Sequence, residues 1–149
     1  MLDSAYDTLT DDTAAEGSRD MTSDKGRILV VDDEESIRFT FQSFLEDDGF
    51  QVETAVDYDD AMRAVSESTF DLVYADIILG GRTGIDLLRD VKQRHPDLEV
   101  ILITGAPSGE SASEALRLGA LDYIVKPVRR VDLLARARSL LRLKHEMDT

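Results

Sequence analysis

Ile28-Leu29-Val30-Val31-Asp32-Asp33-Glu34-Glu35 sets four consecutive apolar residues directly against four acids. An unbroken β-branched and aliphatic run, rather than an alternating one, is the pattern of a strand covered on both faces. Beyond the acids, Ile37, Phe41, Phe44 and Leu45 fall at i, i+4, i+7 and i+8, the apolar stripe of an amphipathic helix, and Gly49 follows as its stop. The stretch therefore reads as strand, acidic turn, helix.

The same unit recurs along the chain. A second strand over 51–55 precedes Asp57, placed to cap a helix carrying Ala61, Met62 and Val65. A third, Leu72 to Ala75, ends in Asp76 and is followed by the loop Ile77 to Gly84 and a helix with Ile85, Leu88 and Val91, closed by Pro96. A fourth, Val100 to Ile103, ends in Thr104, and a smaller helix with Ala112, Ala115 and Leu116 stops at Gly119. The short strand Tyr123 to Val125 leads into Lys126 and Pro127. The last helix, from about Val131, sets Leu133, Leu134, Ala137, Leu140 and Leu141 on one face. Five strands alternating with five helices predict an α/β fold with one open, five-stranded parallel sheet, because right-handed crossovers put the helices on both of its faces.

Composition bounds the rest. The chain has 149 residues, 42% of them hydrophobic, enough for one domain with a real core. No apolar run approaches the roughly 20 residues needed to cross a bilayer. The absence of cysteine excludes disulfides, thiolate metal sites and cysteine nucleophiles, and no basic-then-apolar leader opens the chain, so a cytoplasmic protein is expected. Seventeen bases against 31 acids, a net charge of −14, disfavour contact with nucleic-acid phosphates or anionic lipid and suit cations or basic partners. Residues 1–26 hold seven acids and two bases with no apolar period and read as a disordered acidic tail, within which Met21 is an alternative start. The domain spans 27–146, and 147–149 are its end or the start of a linker to an output domain.

In open parallel sheets the ligand site lies beyond the carboxyl ends of the strands, near the reversal of strand order. Those positions hold Asp32 and Asp33 after strand one, Asp76 after strand three, Thr104 after strand four and Lys126 after strand five. Two carboxylates about 4 Å apart repel by roughly 4 kcal/mol at an effective dielectric near 20, so a converging set must protonate or hold a cation. Mg²⁺, which takes a few carboxylates together with water and phosphate oxygens, suits such a set. Asp76, alone at the end of a strand in the middle of the series, is then the candidate nucleophile toward phosphorus, with Lys126 and Thr104 placed to meet phosphoryl oxygens. Taken singly, each residue has an ordinary role: helix cap, loop cap, backbone-satisfied hydroxyl, solvated amine. Their joint placement carries the argument.

These residues resemble the receiver domain of two-component response regulators, from about Arg27 to Glu146. The motifs are Val30-Val31-Asp32-Asp33-Glu34-Glu35, Asp76 with Gly84 eight residues on, Thr104 followed by a small residue, and Tyr123-Ile124-Val125-Lys126-Pro127. The resemblance implies a flavodoxin-like (CheY-like) doubly wound sandwich. It also implies Asp76 as phosphoacceptor, with Mg²⁺ (or Mn²⁺) held by Asp33, Asp76, the main-chain carbonyl of Ile78 and, through water, Asp32. Thr104 and Lys126 match the phosphate-sensing pair and Tyr123 the aromatic switch, and the Lys126–Pro127 bond is expected to be cis. A sensor histidine kinase or phosphotransfer protein is the implied donor. The surface of helix four, strand five and helix five is the implied output, so the protein catalyses its own modification rather than turning over an external substrate.

Some positions depart from the family pattern. Gly80 stands where receivers commonly have proline, which with Gly81 and Gly84 predicts a loose loop after Asp76, and Gly105 stands where alanine is frequent, leaving the phosphoryl site more open. Two residues beyond Asp76 and Thr104 are Ile78 and Ala106, neither able to orient an attacking water, so slow loss of phosphate is expected. The run Gly80 to Gly84 lacks the Gly-Lys-Ser/Thr ending of a nucleotide loop and reads as a flexible loop with Thr83 capping the next helix. His95 and His145 have no companions at metal or phosphotransfer spacing. From Lys126 to Glu146 seven bases face two acids, a solvated helix face or a docking surface. Asp122 and Arg136 match cross-subunit partners of the receivers that dimerise through a charged ladder, whereas Leu118 and Leu143 stand where that ladder carries charge. A homodimer through this face is compatible with the sequence, its geometry open.

Three other functions compete. An unphosphorylated interaction module would not need the full acidic set. A phosphatase acting through an aspartyl phosphate resembles an Asp-x-Asp pair, whereas position 78 is Ile. A flavin-binding protein would meet Asp32 and Asp33 where cofactor phosphate requires hydroxyls and bare amides.

Overall fold

The computed structural model describes residues 25–148, so the acidic-tail reading of 1–26 falls almost wholly outside the described residues. Five strands, β1 (Arg27–Val31), β2 (Gln51–Ala55), β3 (Leu72–Asp76), β4 (Glu99–Thr104) and β5 (Asp122–Val125), form one parallel sheet in the order β2-β1-β3-β4-β5. Helices α1 (Glu35–Asp47), α2 (Tyr58–Glu67), α3 (Gly84–Arg94), α4 (Gly109–Arg117) and α5 (Arg130–Asp148) follow the strands in turn. This is the doubly wound α/β sandwich expected from the pattern, and α5 runs on through Met147 and Asp148.

The unbroken apolar runs are explained by the two cores. Ile28, Val30, Leu72, Tyr74, Ile101 and Ile103 face the side covered by α1 and α5, where Phe41, Leu45, Leu133, Leu134 and Ala137 pack. Leu29, Val31, Val73, Ala75, Val100 and Leu102 face the other side, against Ala61 and Val65 of α2, Leu87, Leu88 and Val91 of α3 and Ala115 of α4. The three inner strands β1, β3 and β4 thus bury alternate residues in opposite directions, and all five residues of β3 are buried. One apolar position departs from its expected side: Leu116 of α4 is 77% exposed, and Leu118 beyond the helix packs inward with Ala115 instead. Leu116 follows Ala115 directly and is turned about 100° from it, off the packed face.

The helix starts follow local chemistry. Asp57 accepts from the Asp60 N–H at 2.9 Å, and Ser108 caps α4 through the Ser111 N–H at 3.0 Å. Thr83 and Asp86 make a reciprocal capping box at α3. α1 differs: its cap residue Glu34 makes no side-chain cap bond, and Asp32 instead accepts the Glu34 N–H at 2.9 Å. Strand order reverses between β1 and β3, which brings the ends of these two strands side by side.

Candidate functional site

At that reversal Asp32, Asp33 and Asp76 converge, with one carboxylate oxygen from each within 4.8 Å of the others. Asp32 and Asp76 are buried, at 3% and 7% exposure, and Asp33 is exposed. Asp76 accepts the Ile78 N–H on Oδ1 at 3.1 Å and the Lys126 ammonium on Oδ2 at 2.7 Å. The same ammonium donates to Asp32 Oδ2 at 3.2 Å. Lys126 follows β5 across a cis bond to Pro127, and its own N–H donates to the Thr104 carbonyl at 2.8 Å, extending the ladder of β4 and β5.

Electrostatics here are unbalanced. Burial pushes the Asp32 carboxyl above the usual range, the Glu34 N–H and Lys126 pulling it only part of the way back. Burial works against the Lys126 ammonium too, but its bond to Asp76 and the Asp32 charge outweigh it and hold the amine above its ordinary value. One ammonium among three carboxylates leaves the cluster short of positive charge. Three hard oxygen donors and an unmet negative charge fit a divalent cation such as Mg²⁺.

Thr104 is buried at the end of β4, where its Oγ1 accepts the Ala106 N–H at 3.0 Å. Tyr123, half-buried on β5, shares a 2.6 Å hydrogen bond with Ser111 Oγ and accepts the Ser108 N–H at 3.4 Å, which ties its hydroxyl to the start of α4. The fold therefore brings Asp32, Asp33, Asp76 and Lys126 together directly and leaves Thr104 and Tyr123 on the neighbouring strands β4 and β5.

A sequence model of the response regulator receiver domain matches residues 28–138. The chain belongs to the response regulator receiver domain family. Among curated relatives, the receiver is 40% identical over 107 residues to the alginate biosynthesis transcriptional regulatory protein AlgB of Pseudomonas aeruginosa, covering 71% of this chain and 24% of that protein. It is 40% identical over 124 residues to a putative response regulator NtrX-like of Rickettsia conorii, covering 80% and 26%. The chain thus spans about a quarter of the length of these two relatives. A CheY-like receiver domain protein from Methanospirillum hungatei is similar in structure, with a TM-score of 0.78 at 32% identity over 81% of this chain and 97% of that one. A receiver domain is a phosphorylation-dependent signalling module of two-component systems.

Several features of the receiver were not legible in its sequence. Gly84 carries the motif spacing, but its reason is steric: a Cβ there would lie 2.3 Å from the Asp76 carbonyl oxygen, and its N–H donates to the Ile77 carbonyl at 2.8 Å. Arg38 of α1 donates to the Asp32 carbonyl at 2.8 Å. Asp122 and Arg136, which match cross-subunit partners of dimerising receivers, bond to each other within the single chain at 2.6 Å. The loop after Asp76, expected to be loose, is anchored on α2 and α3 through Arg82, which lies 4.0 Å over the Tyr58 ring and 3.0 Å from Asp90 Oδ2. Tyr58 and Asp90 lie 24 and 8 residues from Arg82, and no local pattern links the three.

Proposed function

We propose that this receiver takes a phosphoryl group from the phosphohistidine of a sensor histidine kinase or phosphotransfer protein onto Asp76. The convergence of Asp32, Asp33 and Asp76 around the Lys126 ammonium is the observation that carries the reading. In the transfer an Asp76 carboxylate oxygen attacks phosphorus, the P–N bond breaks, and its electron pair leaves with the imidazole nitrogen. Asp32, Asp33, Asp76 and the Ile78 carbonyl would hold Mg²⁺ or Mn²⁺, which supplies charge neutralisation at the phosphoryl oxygens. Lys126, already on Asp76, follows the new dianion, and the Thr104 hydroxyl donates to one of its oxygens.

The switch follows from the bonds that must change. Thr104 drawn toward a phosphoryl oxygen vacates space beside β5, and Tyr123 turning inward must leave Ser111 and Ser108. The surface of α4, β5 and α5 changes with it and controls an output domain or partner, with a second copy of the chain as one candidate. The domain spans 27–146 and works in the cytoplasm without itself contacting nucleic acid. It catalyses only its own phosphorylation and dephosphorylation. Among the described residues no helix is long and apolar enough to cross a membrane.

The test is intact mass after incubation with Mg²⁺ and acetyl phosphate. A gain of one phosphoryl group, lost in Asp76→Asn and prevented by chelator, is expected. An unmodified chain that also fails to bind Mg²⁺ would return the acidic cluster to a structural role and the protein to an unphosphorylated interaction module. Loss of the phosphoryl group is expected to be slow, because Ile78 and Ala106 offer no side chain to orient water; a half-life of seconds in purified protein contradicts this.

A further inference from the structure

We propose that Arg82 is a positioning residue for the metal and phosphoryl site, clamped between Tyr58 and Asp90 so that the β3–α3 loop is held against the acidic cluster. The inference rests on the functional reading above. The loop itself has little to define its path. Gly80 is at φ +79°, a left-handed turn that glycine takes without strain, and a Cβ on Gly81 would meet nothing within 4 Å, so neither residue has a side chain to pack the turn in place. Its ends are fixed: the Ile77 N–H donates to the Ile103 carbonyl at 2.9 Å, and Thr83 belongs to the α3 capping box.

Between those ends, Leu79 is buried in the core beside Tyr58, and Arg82 makes the polar anchor. The guanidinium carbon sits 4.0 Å from the Tyr58 ring centroid, and Nη2 is 3.0 Å from Asp90 Oδ2. The Tyr58 hydroxyl donates to that same oxygen, while Asp90 Oδ1 accepts from Arg89 Nε at 3.2 Å. Asp90 is therefore held from both sides, and its carboxyl lies below the usual range first because of the Tyr58 bond. The clamp joins the first turn of α2, the loop and the middle of α3 into one unit.

The consequence reaches the site through Gly80. A Cβ at that position would be 3.8 Å from Asp33 Oδ2, so a loop that swings at Gly80 changes the surroundings of the exposed site acid directly. The same segment carries Ile78, whose N–H holds Asp76 Oδ1. Releasing Arg82 frees the loop's backbone without touching Asp32, Asp33, Asp76 or Lys126. A cation gripped partly by that backbone loses affinity, whereas the chemistry at saturating cation is preserved.

The experiment uses the full chain with Arg82→Ala, Arg82→Lys and Tyr58→Phe, reading amide hydrogen exchange without metal, Mg²⁺ affinity by calorimetry, and phosphorylation rate by acetyl phosphate against Mg²⁺ concentration. Arg82 is 53% exposed, so its replacement leaves the core intact, which the urea midpoint checks. For Arg82→Ala, exchange over 77–83 is expected to speed and the Mg²⁺ Kd to rise, each about fivefold, a size set by one ring contact and one exposed ion pair. At saturating Mg²⁺ the rate should stay within about twofold of the native rate, since no reacting group has moved. Arg82→Lys, which keeps the charge and loses the flat stack, should recover part of the affinity, and Tyr58→Phe should cost less than Arg82→Ala. Unchanged exchange and affinity in Arg82→Ala, or a rate deficit that persists in full at saturating Mg²⁺, overturns the proposal. A native chain that neither binds Mg²⁺ nor gains phosphate defeats the functional reading instead, and the exchange measurement then still decides whether Arg82 orders the loop.

Discussion

Asp32 and Asp86 are aspartates at the starts of two helices on the same edge of the sheet, and the fold pushes their carboxyls in opposite directions. Asp86, in the first turn of α3, is held below the usual range, first by the Thr83 N–H and further by the Arg89 charge. Asp32, just ahead of α1, is raised, burial outweighing the Glu34 N–H and Lys126. One carboxylate completes a helix and stabilises the protein. The other is raised by burial beside Asp33 and Asp76, a charge cluster that a divalent cation would offset.

The sharpest break in this comparison is at the residue where the two regions touch. Gly84→Ala drives a Cβ into the Asp76 carbonyl oxygen and is expected to cost about 3 kcal/mol in urea unfolding, because backbone rather than a flexible side chain must give way. Next come paired changes of opposite sign. Thr83→Ala, which removes the reciprocal cap, should lose about 1 kcal/mol, whereas Asp32→Asn, measured with chelator present, should raise stability, because the buried charge that burial disfavours is gone. A destabilised Asp32→Asn would end the contrast.

Mg²⁺ sharpens it from the other side. At about five times its Kd the cation should stabilise the native chain by about 1 kcal/mol in thermal unfolding and stabilise Asp32→Asn much less. The smallest effect is the pH profile in chelator. Asp32 has a raised folded pKa, so its unfavourable contribution at neutral pH fades as pH falls through that value, and stability rises slightly. Asp48, Asp86 and Asp90 have depressed folded pKa values, from Arg138, the Thr83 N–H and Tyr58 respectively. Their contributions are present above the ordinary carboxylate value and are lost as pH falls through the folded ones. A shallow maximum on the acid side of neutral is expected, flattened on its neutral flank by Asp32→Asn; a profile that falls steadily from pH 7 contradicts the sign assigned to Asp32.

Much of the molecule was legible because the decisive signals are local. The run Ile28 to Val31 reads as a doubly covered strand from four adjacent side chains, and Asp57 and Thr83 read as caps from their own chemistry. The candidate acids were legible for a related reason: the rule for parallel sheets maps a position in the chain, the carboxyl end of a strand, onto a place in space. Leu116 follows the buried Ala115 directly and so is turned about 100° off the packed face of α4, which leaves it exposed.

Element order, the parallel sheet and the residues at its carboxyl edge were thus determined by the sequence alone, through period, capping and turn chemistry within a few residues. The tertiary structure decided what depends on contact between distant segments: the closure of Asp122 on Arg136 inside one chain, the approach of Gly84 to the Asp76 carbonyl, and the seating of Arg82 between Tyr58 and Asp90. Such contacts follow from how crossovers lay one βα unit beside another, and no spacing within a single unit encodes them.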